Sequence, residues 1–316
     1  MRSSLLYILL FLPVGAHAQH IERYYDYMRR PSGPVTARFY SEMNKKDSVW
    51  ERKDYYIHER SLQMHGYYLD TACKIPHGYF EFFYPNKHLG SAGLCDHGKK
   101  EGLWMSFYPN GMIEDSVTYL HGDTTGTSYS WHPNGYLRDS AVWNADGSGV
   151  EVSWFDNGNP SSAGRYSAGH KMNGDWQFFH KNGRLSALET YHDGLLTESK
   201  YFDEEGNGVG DTAIVEREAS FPGGSKAWIK YMNKHVYFPE RYKFDNADSA
   251  IVVIAAVVDE DGNVTNVEVN TPLYPAFDDI ALTAVKKSPK WIPAMQHNRR
   301  VKYRFLEAVH FLQYER

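Results

Sequence analysis

The chain has 316 residues, enough for two or three domains and a sizeable core. Its formal net charge is −5 and its 34 basic residues are dispersed, which excludes the concentrated cationic face that nucleic-acid binding requires. Aromatic residues make up 15%, with 24 Tyr and 8 Trp, a composition suited to strands whose pleated surface packs rings.

The N-terminus reads as an export signal. Arg2 supplies the positive start, Leu5 to Val14 is a short apolar run, and Ala16-His17-Ala18 is a small-residue cleavage site ahead of Gln19. The run falls short of the roughly 20 residues of a transmembrane helix. Residues 1–18 are therefore expected to be a cleavable signal peptide, with an uncleaved inner-membrane anchor as the alternative. The expected location is exported, periplasmic or envelope-associated. Residues 19–60 are charged and aromatic without a clear period. They are expected to form an N-terminal cap region over the first open edge, with strands at Val35 to Tyr40 and Val49 to His58.

From 61 to 208 the chain repeats. Phe107-Tyr108-Pro109-Asn110-Gly111 recurs as Phe83 to Lys87, Trp131 to Gly135, Trp154 to Gly158, Phe179 to Gly183 and, worn, Phe202 to Gly206. Successive final residues are 24, 24, 23, 25 and 23 apart, a fixed period that means stacked units. Each Asn-Gly predicts a hairpin turn in which both residues tolerate positive φ. A second turn follows at His97-Gly98, His121-Gly122, Asp146-Gly147, Ala168-Gly169 and Asp193-Gly194. The predicted fold is a mainly β array of antiparallel hairpins, with the ring column from Phe83 to Phe202 as its stacked core. A second column, Cys95, Tyr119, Trp143, Tyr166 and Tyr191, is also placed in the core. Cys95 then acts as a small buried hydrophobe, although a disulfide to Cys73 stays open.

After a Gly-rich linker near Gly206 to Asp211 the pattern changes. Phe221-Pro222-Gly223-Gly224 leads to Ser225 as a possible N-cap and a helix from Lys226 to Lys234. Ile251 to Val258 and Val264 to Val269 read as strands joined by an acidic turn. Phe277, Ile280, Ala281, Ala284 and Val285 share a helical face, which Pro289 ends. Val301 to Phe311 alternates as a final strand. Residues 212–316 thus form a small α+β domain.

Two resemblances follow from these residues. Gly102 to Gly111 and Gly174 to Gly183 resemble MORN-type repeats of the YwqK-like variant, which imply a structural or partner-binding surface. Residues 212–314 resemble the TonB C-terminal domain, through Phe238-Pro239, the Val-rich hairpin with its Asp-x-Asp-Gly-Asn turn, Phe277-Asp278, and Pro289-Lys290-Trp291-Ile292-Pro293-Ala294. This resemblance implies two helices on a three-stranded antiparallel sheet. It also implies a role by strand addition to an outer-membrane transporter or other envelope protein. The edge is then the last strand, with Val301, Tyr303, Phe305 and Glu307 as partner-binding residues and Phe238 and Pro239 as the domain-start motif. The same residues also read as ordinary core and edge positions.

Enzyme chemistry has no foothold in the sequence. Gly93 to Lys100 is one residue short of a P-loop, His58-Glu59 lacks the second His of a zinc protease, and no Gly-x-Ser-x-Gly is present. His97 and His121 share a turn register, but the later repeats do not sustain it, so they read as solvated turn residues and no metal is expected. Asp259, Asp261 and Asn263 miss the EF-hand spacing. No catalytic residue, cofactor, nucleic acid or small-molecule substrate is expected. The expectation is a non-enzymatic, exported cell-envelope protein implicated in TonB-dependent transmembrane transport at the outer membrane. The alternative makes the repeats a ligand-binding, antitoxin-like or scaffold module that the C-terminal domain only docks.

Overall fold

The computed structural model describes residues 19–210, 216–244 and 249–313. The expected signal peptide lies outside them. Sixteen strands form one sheet in sequence order, each antiparallel to the next. They are β1 (His20–Tyr25), β2 (Phe39–Lys46), β3 (Val49–Tyr56), β4 (Ser61–Tyr68), β5 (Gly78–Phe83), β6 (Leu89–Asp96), β7 (Lys99–Phe107), β8 (Ile113–Leu120), β9 (Asp123–Trp131), β10 (Leu137–Trp143), β11 (Gly149–Trp154), β12 (Pro160–Ser167), β13 (Lys171–Phe179), β14 (Leu185–His192), β15 (Leu195–Phe202) and β16 (Gly208–Val209). The strand expected from Val35 begins only at Phe39.

The Asn-Gly turns take a different form from the one expected. Gly111 has φ 85° while Asn110 does not have positive φ. The Gly111 amide donates to the Tyr108 carbonyl at 2.8 Å, and the Tyr108 amide to the Met112 carbonyl at 2.8 Å. Pro109 suits the first central position of such a turn, so Gly alone supplies the left-handed step. The Asn side chain is used instead as a link. Asn134 donates to the Asp156 carbonyl, Asn157 to Lys181 and Asn182 to Glu204, each one repeat further on. Tyr84 and Tyr108 hydroxyls likewise reach the Phe107 and Trp131 carbonyls.

The ring column expected in the core, from Phe83 to Phe202, is only half-buried. Side chains alternate between faces along a strand, so rings three residues apart point to opposite sides. The buried rings are the others, among them Phe80, Trp104 and Trp176. Each lies over a glycine of the preceding strand, Gly66, Gly93 and Gly164. The second column does occupy this face. Cys95, Tyr119, Trp143, Tyr166 and Tyr191 sit opposite Gly78, Gly102, Gly126, Gly149 and Gly174. Both cysteines are free, with Cys95 buried and the Cys73 sulfur 3.5 Å from that of Met43.

The C-terminal unit contains α1 (Gly224–His235), β17 (Ser249–Val258), β18 (Val264–Thr271), α2 (Pro275–Lys286), β19 (Ala294–Gln296), β20 (Arg299–Val301) and β21 (Tyr303–Leu312). Its main sheet has the order β18-β17-β21, and β19 and β20 form a separate hairpin. Phe277, Phe311, Val252, Ile254, Val285 and Val309 are buried between the helices and the sheet. Ser225 lies inside α1, whose N-cap is the left-handed Gly223 without a side-chain cap. No helix among the described residues is long and apolar enough to cross a membrane.

Candidate functional site: a free sheet edge and a docking hairpin

β21 pairs with β17 on one side, from Tyr303 opposite Val258 to Leu312 opposite Ser249. On its other side no strand pairs with it among the described residues. A groove of about 2040 Å³ runs beside the second half of this edge, from Glu307 to Gln313. Its other walls are α1, the start of α2 and the irregular segment from Val236 to Phe244. The Gln313 amide closes one end by accepting from the Phe244 amide at 2.9 Å.

The sequence-predicted residues divide on this geometry. Phe238 packs edge-on against Phe277 at 5.2 Å, and Phe238 and Pro239 line the groove. Glu307 also lines it, and burial pushes its carboxyl up. Phe305 points inward and stacks on Trp291 at 4.9 Å. The Tyr303 hydroxyl donates to Glu218 at 3.0 Å. Val301 is outside the strand, since the expected final strand breaks at Lys302 and Val301 pairs with Ala294 in the small hairpin. The groove walls from α1 were missed, because helix α1 reads in sequence only as an amphipathic element.

That small hairpin is the second part of the site, and it docks on the array. Its turn residues His297 and Asn298 both have positive φ, 51° and 56°. This two-residue turn between short strands was the overlooked signal. His297 lies flat on Phe178, with ring centroids 3.7 Å apart, and its Nδ1 is 2.9 Å from the Glu189 carboxylate. Asn298 donates to the Phe202 carbonyl at 2.7 Å. The buried Arg299 guanidinium donates to the Ser161 carbonyl, to its Oγ at 2.7 Å and to the Phe179 carbonyl at 3.3 Å. Burial pushes Arg299 down to about 10, so it stays cationic at neutral pH.

A reciprocal contact lies at the other end of the domain. Arg38, just before β2, donates to the carbonyls of Pro272 at 2.9 Å and of Ile251. His58 packs on Tyr274 at 4.2 Å. Between these ends Lys181 bridges Asp156 and Glu260 at 2.9 and 3.2 Å, and Lys302 reaches Asp156 at 2.7 Å. Burial pushes Asp156 upward, but the two ammonium groups hold it down at about 2.

A small sheet with one edge unpaired among the described residues, and two helices packed on it, make an α+β domain that follows a long β-repeat array. Residues 234–312 match the C-terminal domain of the Gram-negative bacterial TonB protein, and residues 100–121 match the MORN repeat variant. The chain is thus TonB-like at its C-terminal end, with repeats of MORN type before it. TonB-type C-terminal domains interact with envelope proteins such as outer-membrane transporters. No curated protein matches the chain.

Proposed function

We propose that this chain is an exported, non-catalytic envelope protein that binds a segment of an outer-membrane transporter, or of another envelope protein, along the free edge of β21. The observation that carries this reading is the edge of β21, unpaired among the described residues, beside a groove of about 2040 Å³. An added strand gains main-chain hydrogen bonds from the edge, and the groove walls select its side chains. Leu312, which lines the groove, and Leu306 are both exposed and add apolar surface to the strand. The array's role in this reading is to hold the domain with that edge accessible.

The test is hydrogen exchange on the full chain with and without a transporter segment captured from an outer-membrane fraction. Protection is expected at β21 amides. Leu306→Pro removes a backbone donor on the edge strand and is expected to weaken binding at least tenfold. Protection confined to the array, with β21 exchanging as before, sinks the proposal.

A second reading, in which the array is the recognising part, is favoured by one patch. Tyr129, Val142, Val150 and Val152 are all exposed on adjacent strands β9 to β11. Protection appearing there is the outcome this reading requires.

A further inference from the structure

The geometry points to a surface site for a borderline divalent transition ion, of the zinc or copper class, built from His77, Asp96 and His97. His77 precedes β5, Asp96 is the last residue of β6, and His97 opens the turn to β7. The same Asp96 oxygen lies 3.1 Å from His77 Nδ1 and 2.8 Å from His97 Nδ1. The three ligand atoms all lie within 4.8 Å of one another. Donors around a tetrahedral ion with bonds of about 2.1 Å stand roughly 3.4 Å apart, so only small rotations are needed to admit one.

The backbone holds the three residues in place. His97 and Gly98 have φ 45° and 89°, the two left-handed steps of a tight hairpin turn. The Gly98 amide donates to the Pro76 carbonyl at 2.8 Å, which ties this turn to the residue before His77. The His77 amide donates to the Tyr67 carbonyl at 2.9 Å, and the His97 amide points at His77 Nδ1 at 3.4 Å. The imidazole rings meet nearly edge to face, with centroids 4.8 Å apart. Lys99, opposite Asp96 in the hairpin, runs its stem along Gly122 of the next turn.

Two imidazoles and one carboxylate select zinc or copper over calcium and magnesium, which prefer all-oxygen cages. The half-open position of the cluster leaves a fourth ligand to water. Turn register alone pairs His97 with His121. The partner in space is His77, which stands before Gly78 as Glu101 stands before Gly102 and Asn173 before Gly174, each side chain facing the amide of the next turn; only in this repeat is that position an imidazole beside a second imidazole and a carboxylate. A bound ion would clip the β4–β5 connection to the β6–β7 turn.

The test is a calorimetric Zn²⁺ titration of the untagged full chain, with thermal unfolding alongside. One equivalent is expected to bind in the micromolar range and to raise the melting temperature. His97→Asn keeps a residue that tolerates the left-handed turn and removes the imidazole. It is expected to weaken binding at least tenfold and to abolish the thermal shift, as is Asp96→Asn. His121→Ala, on the same register one repeat later, is expected to change neither. Wild-type protein that binds no Zn²⁺, or a His97→Asn variant that binds as wild type, overturns the proposal.

Discussion

Trp104 and Trp176 show how single residues set the packing of the array. Each ring covers a glycine of the neighbouring strand, and each indole N–H donates to a carbonyl just past it, Leu94 at 2.8 Å and Arg165 at 3.0 Å. The strand register shifts at those places, between Ala92 and Leu94 and between Ala163 and Arg165, so each indole donates to a carbonyl beside an irregular point of the ladder. Gly164→Ala would drive a methyl into the Trp176 ring. It is expected to cost about 1–3 kcal/mol of stability in denaturant unfolding, as an overpacked site does. Trp176→Ala, which empties the same site, is expected to cost about 3–5 kcal/mol. The repeat itself was legible from Phe107 to Gly111, because spacing survives in the sequence. Which ring faces inward was not, since the most regular column and the buried one differ by an odd number of residues.

At the level of elements, the β19–β20 hairpin and the Arg38 loop fasten domain to array with buried guanidinium groups on main-chain carbonyls. Arg299→Ala strips donors from the Ser161 and Phe179 carbonyls and leaves a void. It is expected to lower the unfolding free energy by roughly 2–4 kcal/mol and to speed exchange at the β12 and β13 amides. The Arg38 end carries a pH response with two opposing parts. Burial, with Arg38 adding, depresses His58 from 6.5 to about 4, so its contribution is complete above 6.5 and disappears as pH falls through 4. Burial, with Glu59 and Asp279 adding, raises Asp278 from 3.8 to about 6 against the pull of the Leu273 amide and Arg38. Its contribution is complete below 3.8 and disappears as pH rises through 6. Burial raises the Glu59 carboxyl as well, so Asp278→Asn combined with Glu59→Gln isolates the histidine, and that variant is expected to lose on the order of 1 kcal/mol between pH 7 and 4.5 in thermal or denaturant unfolding. A flat profile in this variant would show that His58 does not titrate in the contact. None of this fastening was legible in the sequence, because its partners are 138 residues apart for Arg299 and 234 for Arg38.

For the whole molecule, the contacts dictate a curved array. His58 just after β3 and Phe202 at the end of β15 both touch the C-terminal domain. Twelve strand steps at ~4.8 Å would separate them by about 58 Å in a flat sheet. A domain of this size spans on the order of 30 Å, so the sheet coils round it, in keeping with strand twist. The double variant Arg38→Ala, Arg299→Ala is expected to raise the radius of gyration in small-angle scattering, with the far-ultraviolet circular dichroism unchanged. An unaltered scattering curve would mean that the remaining ion pairs suffice to hold the domain. The α+β unit was legible almost element by element, because Ile251 to Val258 and the Phe277 face are local patterns. The break at Lys302 was not, because the alternation of Val301, Tyr303 and Phe305 runs straight through it. That break has a mechanical meaning. Lys302 is the single residue between the hairpin that anchors the domain and the strand whose edge is free, and its ammonium grips Asp156. Tension applied at the start of β21 therefore reaches the array through Lys302 and Arg299, one and four residues from that start, while its far end is held through the neighbouring β17 by Arg38.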